Sequence, residues 1–239
     1  MDNIGYTSLT RQSGLMREMQ TVANNIANAS TTGFRREGVV FSEYIQALAP
    51  GDPSLSMATA NARALDLQQG ALVQTGGAFD FAIEGAGFFL LDGPDGQFLT
   101  RAGSFAPSAE GELSTPDGYR LLDGGGAPVF VPPDAQAVSV AADGTLSIDG
   151  RAVAQIGLYA PTDQTDLLHR DGVRFEAPGG MEPVLESVAI LQGFVEGSNV
   201  DPISEVARMI EVQRSYELGQ KFLEKEDERI RSVLKTIAG

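Results

Sequence analysis

The chain has 239 residues, 42% of them hydrophobic, with a formal net charge of −15, no cysteine and one histidine. That is enough for one large or two small domains with a real core, and it excludes disulfides, thiolate metal sites and a histidine-paired nucleophile; no cofactor or metal is expected. The acidity is concentrated in residues 79–200, which hold 5 Lys/Arg against 18 Asp/Glu, a balance that argues against nucleic acid.

Taken in chain order, residues 1–30 read as a helix. Leu9, Gln12, Met16, Met19, Ala23 and Ile26 recur at steps of three and four, a heptad seam with one polar member, and Leu15 and Val22 widen the stripe. The helix should stop near Ser30–Gly33, where Thr31 and Thr32 are β-branched and Gly33 can supply a left-handed cap. The opening MDNIGYTSLTRQ lacks the basic-then-apolar order of a secretory signal peptide. No apolar run approaches the roughly 20 residues that span a bilayer, so direct membrane insertion is not expected. Residues 37–78 form a connector that reads as extended or irregular, broken at Pro50, Gly51 and Pro53.

The middle changes style. Asp-Gly begins at Asp92, Asp95, Asp117, Asp123, Asp143, Asp149 and Asp171, and both residues of that pair tolerate the positive φ of tight hairpin turns. Between the turns lie candidate strands at 79–84, 88–91, 97–101, 119–122, 128–132, 138–141, 145–148 and 153–160, with a closing region at 184–195. Such spacing predicts an antiparallel β domain over 79–197. From 198 the pattern reverts to helix. Asp201 suits the N-cap, Pro202 the first helical position and Glu205 the positive end of the dipole. Met209, Val212, Tyr216, Gly219, Leu223, Glu226, Ile230, Val233 and Ile237 then form a second seam, with Glu217–Lys221 and Asp227–Arg231 as i,i+4 pairs. The expected class is α+β: terminal helices (1–36 and 198–239) packing as a coiled-coil-like domain, with a central all-β domain. Two narrow seams of this size are marginal alone, which points to assembly.

No constellation carries chemistry. Gly85-Ala86-Gly87 lacks the third glycine of a dinucleotide loop, and DGTLSIDG (143–150) lacks the closing glutamate of a calcium loop. Glu110 and Glu112 form an acid pair of the kind expected by chance among 32 acidic residues. His169 reads as an ordinary loop residue, and no catalytic residue is expected.

One segment stands apart. TVANNIANASTTGFRRE (21–37) places three asparagines, poor helix formers, beside a helical seam. It resembles the signature A-N-N-x-A-N-x-x-T-x-G-F plus a basic residue shared by flagellar axial proteins, filled here by Ala23, Asn24, Asn25, Ala27, Asn28, Thr31, Gly33, Phe34 and Arg35. Residues 69–91 and 98–122 resemble that family's central segments, and GFVEGSNVDPISEVARMIEVQRSYE (193–217) its C-terminal signature; only about 38–68 shows little similarity. The length and opening resemble proximal-rod members, although Gly5 precedes Tyr6 where an aromatic usually follows the isoleucine directly.

The resemblance implies a non-enzymatic subunit of the bacterial flagellar basal-body rod, part of a drive shaft and export channel linking inner to distal rod. It implies export from the cytoplasm by the flagellar type III apparatus to the periplasmic space. The implied partners are copies of itself, inner-rod and distal-rod neighbours and the surrounding ring bushing. The implied assembly residues are Leu9, Met16, Met19, Ala23, Asn24, Asn25, Ile26, Asn28, Gly33 and Phe34 near the N-terminus. Near the C-terminus they are Met209, Val212, Tyr216, Leu223, Ile230, Val233 and Ile237. Asn24 and Asn28, four apart, would fix register between subunits, as polar seam residues do. The acidic domain would face outward. The alternatives are a distal-rod type subunit or a rod-associated peptidoglycan hydrolase.

Overall fold

Two long helices frame the chain, as the apolar spacing predicts. In the computed structural model, which describes residues 2–46, 55–184 and 188–237, α1 spans Asp2–Ala27 and α2 spans Pro202–Ile237. The chain divides into a helical unit (Met1–Ala27, Glu37–Asp66, Asp201–Gly239) and a β unit (Asn28–Arg36, Leu67–Val200). The α+β class holds. Residues 28–36, 67–78 and 198–200 group with the β unit, and 37–66 with the helices.

In the helical unit, β1 (Glu37–Gln46) and β2 (Leu55–Leu65) pair antiparallel, with an irregularity between Val40 and Phe41. Helix α1 packs against α2, β1 and β2. The connector is thus extended, as predicted, but also paired. Its alanine-rich second strand shows no alternation from which pairing could be read. Pro50, Gly51 and Pro53 lie outside the described residues. Helix α2 starts as expected. Asp201 accepts from the Ile203 N–H at 3.2 Å and from the Ser204 hydroxyl, and these bonds hold its carboxyl below the usual range. The Asp227–Arg231 pair forms at 2.7 Å, while Glu217 accepts from Gln213 at 3.1 Å.

In the β unit every strand pair among the described residues is antiparallel. It contains β3 (Leu72–Gln74), β4 (Phe81–Glu84), β5 (Phe88–Gly93) and β6 (Gly96–Thr100). The largest sheet runs Leu168–Asp171, Arg174–Glu176, β6, β5, Arg120–Leu121, Leu113–Ser114, Ala106–Pro107. Strand β4 pairs with Ala189–Gln192 and β3 with Phe194–Glu196. The Asp-Gly turns are real: Ile148 pairs with Arg151 across Asp149-Gly150, whose φ values of 50° and 78° make a tight hairpin. Asp149 is the only non-glycine with positive φ among the described residues.

Phe81, Ile83, Phe89, Leu91, Leu113, Leu121 and Leu146 are fully enclosed at the centre of the core, with Phe105 set edge-on to Phe89 at 5.6 Å. Three predicted strands are altered. Residues 153–160 split into Arg151–Gln155 and Leu158–Pro161, and 184–195 breaks at Gly193 (φ 76°). Residues 128–132 make single bridges, with Val129 bonded to Leu113 and Leu121.

Candidate assembly faces and their internal support

Helices α1 and α2 run antiparallel. Gln12 Nε2 donates to the Tyr216 carbonyl (3.0 Å), Arg208 pairs with Glu18, and Asn25 meets Glu205. The face α1 buries is Gln12, Leu15, Glu18, Val22 and Asn25. It shares Gln12, Leu15 and Val22 with the predicted stripe and adds Gly14, Glu18, Thr21 and Asn25, so the face is turned towards the Leu15–Val22 side. Leu9 and Met16, at 58% and 40% exposure, face outward with Ala23, and Met19 and Ile26 are half-buried. The turn follows from chemistry: Glu18 and Asn25 are buried because each finds a partner, and counting apolar residues cannot see that. On α2 the predicted seam is closer to the observed face, with Val212 buried and Met209, Tyr216, Gly219 and Leu223 half-buried. From Asp227 every described residue is exposed, including Ile230, Val233 and Ile237.

The asparagines divide by role. Asn25, 1% exposed, donates to the Glu37 carbonyl (2.8 Å) and to Glu205 Oε2 (3.1 Å), and accepts from the Glu37 N–H (3.0 Å). One side chain therefore holds α1 to the start of β1 and to the first turn of α2. Asn24 is exposed, and Asn28 lies past the end of the helix in a turn, its Oδ1 accepting from Thr31 Oγ1 (3.1 Å). The two do not form a pair on one helix face. Asn25→Ala removes three hydrogen bonds at a buried site and should cost the helical unit about 2–3 kcal/mol. Asn25→Asp should cost more, because it also sets a second carboxylate against Glu205. Thermal melts followed by helical circular dichroism test both, and an unchanged midpoint for Asn25→Asp would remove this role.

Gly33 and Phe34 are enclosed by the chain itself. Gly33 has φ 74°, as its predicted capping role requires. It also donates to the Glu196 carbonyl (2.7 Å), and a Cβ there would fall 2.2 Å from the Ala102 nitrogen. Phe34 is fully buried, edge-on to His169 at 5.6 Å, and His169 stacks on Phe175 at 5.1 Å. His169 is therefore a packing residue of the strand Leu168–Asp171.

Beside them lies a feature sequence reading missed. Glu196, with no exposed surface, takes Arg35 at 2.6 Å and Arg101 at 3.1 Å, and accepts from the Gly70 N–H at 2.8 Å. Arg101 also donates to the Gly85 carbonyl (2.7 Å) and lies over the Phe88 ring at 5.2 Å. Burial brings the Arg101 guanidinium down to about 10, against the opposing pull of Glu196. Asn199 adds a polar stitch: it accepts from the Arg36 N–H (2.6 Å), and its own amides donate to the Phe34 (3.4 Å) and Gln68 (2.9 Å) carbonyls. Residues 33–36, 68–70 and 196–199 are thus bound into one block of the β unit. Within this unit the acidic residues are mostly at the surface, and Glu196 is the buried carboxylate among those described.

Three family profiles match the chain: "Flagella basal body rod protein" over residues 6–35, "Flagellar hook protein FlgE/F/G D1 domain" over 82–148, and "Flagellar basal body rod FlgEFG protein C-terminal" over 191–236. The chain is 38% identical to the flagellar basal-body rod protein FlgF of Caulobacter vibrioides over 248 aligned positions, covering 99% of this chain and 98% of the relative. It is 38% identical to the FlgF of Mesorhizobium japonicum over 89% of this chain and 88% of that one. The chain belongs to the flagellar basal-body rod protein family. It is a structural, non-enzymatic subunit of FlgF type, and its place is the flagellar basal body. The rod protein FlgG of Bacillus subtilis is more distant, at 29% identity over 96% of this chain. The first profile ends at Arg35, so it takes in both α1 and the buried Gly33-Phe34-Arg35 block.

Proposed function

We propose that this rod subunit assembles helically through its helical unit, as a proximal segment of the drive shaft linking inner rod to distal rod around an export channel. The observation that carries the reading is the set of large apolar side chains left uncovered on both helices. These are Leu9 and Met16 on α1, and Ile203, Val206, Ile210, Leu218 and Phe222 on α2. Apolar stripes on antiparallel helices bury their surface when further helices pack alongside, and coiled-coil-like packing between subunits supplies that cover. Of the residues expected at the assembly face, Leu9, Met16, Ala23, Asn24, Ile230, Val233 and Ile237 are exposed. Met19, Ile26, Asn28, Met209, Tyr216 and Leu223 are half-buried and contribute edges, while Asn25, Gly33, Phe34 and Val212 shape the subunit from within.

The partners in this reading are further copies and the neighbouring rod and hook axial subunits. The acidic β unit faces the ring bushing in the periplasmic space, and the flagellar type III apparatus exports the chain. Met16→Asp tests it. The side chain is exposed, so the subunit should fold, yet an unpaired charge buried on assembly costs several kcal/mol per contact. A strain relying on this variant should make no complete rod and should not swim, whereas Val153→Asp, at an exposed site of the β unit, should swim normally. Normal swimming with Met16→Asp at wild-type abundance would show that this face is not the assembly surface.

A further inference from the structure

We propose that Asp95, in the turn joining β5 to β6, is a modification site: its carboxyl closes onto the Gly96 backbone nitrogen as a succinimide, which water reopens as isoaspartate. The inference concerns the β unit alone and does not depend on which surface assembles. The chemistry is self-contained. The Gly96 nitrogen gives up its proton and bonds to the carboxyl carbon of Asp95, whose hydroxyl leaves as water. Water then adds to one of the two imide carbonyls. Opening at the side-chain carbonyl restores aspartate, and opening at the main-chain carbonyl gives isoaspartate, with one more carbon in the main chain. No oxidant, reductant or second substrate enters.

The chain has seven Asp-Gly pairs, and the fold ties down the carboxylates of the other six. Asp92 pairs with Arg120. Asp117 meets Arg174 at 3.1 Å, and Asp171 accepts two bonds from the same guanidinium at 2.8 and 2.5 Å. The remaining three accept backbone N–H groups: Asp123 from Gly125 and Ala127, Asp143 from Thr145, and Asp149 from Gln136 and Ala137. In three pairs the glycine nitrogen is engaged as well. Gly118 donates to the Thr115 carbonyl (2.9 Å), Gly124 to Gln155 (2.8 Å) and Gly144 to Ala141 (2.9 Å). A carboxylate so held is not free to swing onto the next nitrogen. It is also kept ionised, whereas ring closure uses the neutral acid. The bonds from Thr145 and Arg174 hold the Asp143 and Asp171 carboxyls below the usual carboxylate range.

Asp95 is the exception. Its carboxylate has no hydrogen-bond or ion-pair partner among the described residues. Gly93 pairs with Gly96, so Pro94 and Asp95 are the two loop residues of a hairpin, and they stand exposed with Gly96 and Gln97. Loop tips built of small and polar residues move most easily. Gly96 has a φ of 120°, and nothing lies within 4 Å of the place a Cβ would take, so the closing ring meets no neighbour there. Asp95 also borders an open cleft of about 470 Å³ shared with Tyr119 and Arg174, which brings water to the imide. An added main-chain carbon in a two-residue loop loosens the Gly93–Gly96 closure of the largest sheet. Because the conversion needs only water and time, it marks the age of a folded molecule.

The test incubates the full folded chain at mildly acidic pH and follows isoaspartate as the methyl label added by a protein isoaspartyl methyltransferase. Digestion with a protease that cuts before aspartate, but not before isoaspartate, locates it: conversion at Asp95 leaves the fragment 92–116 uncut. That fragment should appear before any other missed cut and carry most of the label. Asp95→Glu should lose most of the label, because its ring would need one more atom, and Asp95→Asn should gain label faster, because ammonia then leaves in place of water. Residue 95 is exposed, so both variants keep the fold, which circular dichroism checks. The same chain held in denaturant should label its seven Asp-Gly pairs at comparable rates. Label spread evenly over the pairs of the folded chain would overturn the proposal, as would label that persists in Asp95→Glu. A preference for Asp95 that survives in denaturant would assign the selection to the local sequence and remove the role given to the fold.

Discussion

Glu196→Gln should lower the stability of the β unit by about 3–5 kcal/mol, the usual cost of stripping the counter-charge from a buried ion pair. Glu196 is the carboxylate for two guanidinium groups that the fold has taken out of water, Arg35 with no exposed surface and Arg101 with 4%. With the charge gone, two cations sit in a poorly solvating interior, and the Gly70 N–H meets a weaker acceptor. For a protein of this size each kcal/mol moves the melting midpoint by about 2–4 °C, so a fall of about 10 °C is expected. A double-mutant cycle sharpens the test. Arg101→Met alone leaves Arg35 to neutralise Glu196, so Glu196→Gln combined with Arg101→Met should cost clearly less than the sum of the two. Strict additivity, or a loss below about 1 kcal/mol for Glu196→Gln, would mean that water or backbone solvates the arginines and the cluster is not an ion-paired unit.

Gly33→Ala should be nearly as damaging for a different reason. A left-handed conformation costs a side chain with a Cβ about 1–2 kcal/mol. Here the new carbon would also lie 2.2 Å from the Ala102 nitrogen and 2.5 Å from the Arg101 carbonyl carbon, both rigid backbone. Overpacking of this kind adds about 1–3 kcal/mol. The segment would have to lift away, breaking the Gly33-to-Glu196 backbone bond and exposing Arg35 and Arg36. Limited trypsin digestion reads this directly: cleavage after Arg35 or Arg36 should be fast in the variant and slow in the wild type. Equal cleavage rates would show that the close approach is relieved without moving the segment.

The sequence was most informative where structure depends on local chemistry. Asp201 caps α2 through its immediate neighbours, and Asp149-Gly150 turns a hairpin with no help from elsewhere. Gly33 was assigned its positive φ correctly, but the collision that forbids a side chain comes from residues 101 and 102, which local reading does not reach. The same limit hid the buried cluster, since Arg35, Arg101 and Glu196 are spread across most of the chain. The strands Leu168–Asp171 and Arg174–Glu176 are short and mostly polar; what makes them strands is that Arg174–Glu176 pairs onto β6 and Leu168–Asp171 onto Arg174–Glu176. On α1 the apolar spacing found Gln12, Leu15 and Val22 but not Glu18 and Asn25, because an interior that includes those two is chosen by hydrogen-bond partners as much as by hydrophobicity. The asparagine that matters most is the one whose partners, at residues 37 and 205, could not be inferred from its neighbours.

The contacts that close the helical unit join residues 180 and 204 positions apart, whereas every residue of the β unit precedes position 201. Chains are synthesised from the N-terminus, and contacts of such separation carry the full entropy of closing a very long loop. All the residues of the β unit are therefore present before α2 exists, and α1 waits without its partner through nearly the whole of synthesis. A chain that ends at residue 200 has every residue of the acidic β unit but none of α2. The order of residues along the chain thus completes the helical unit after the β unit.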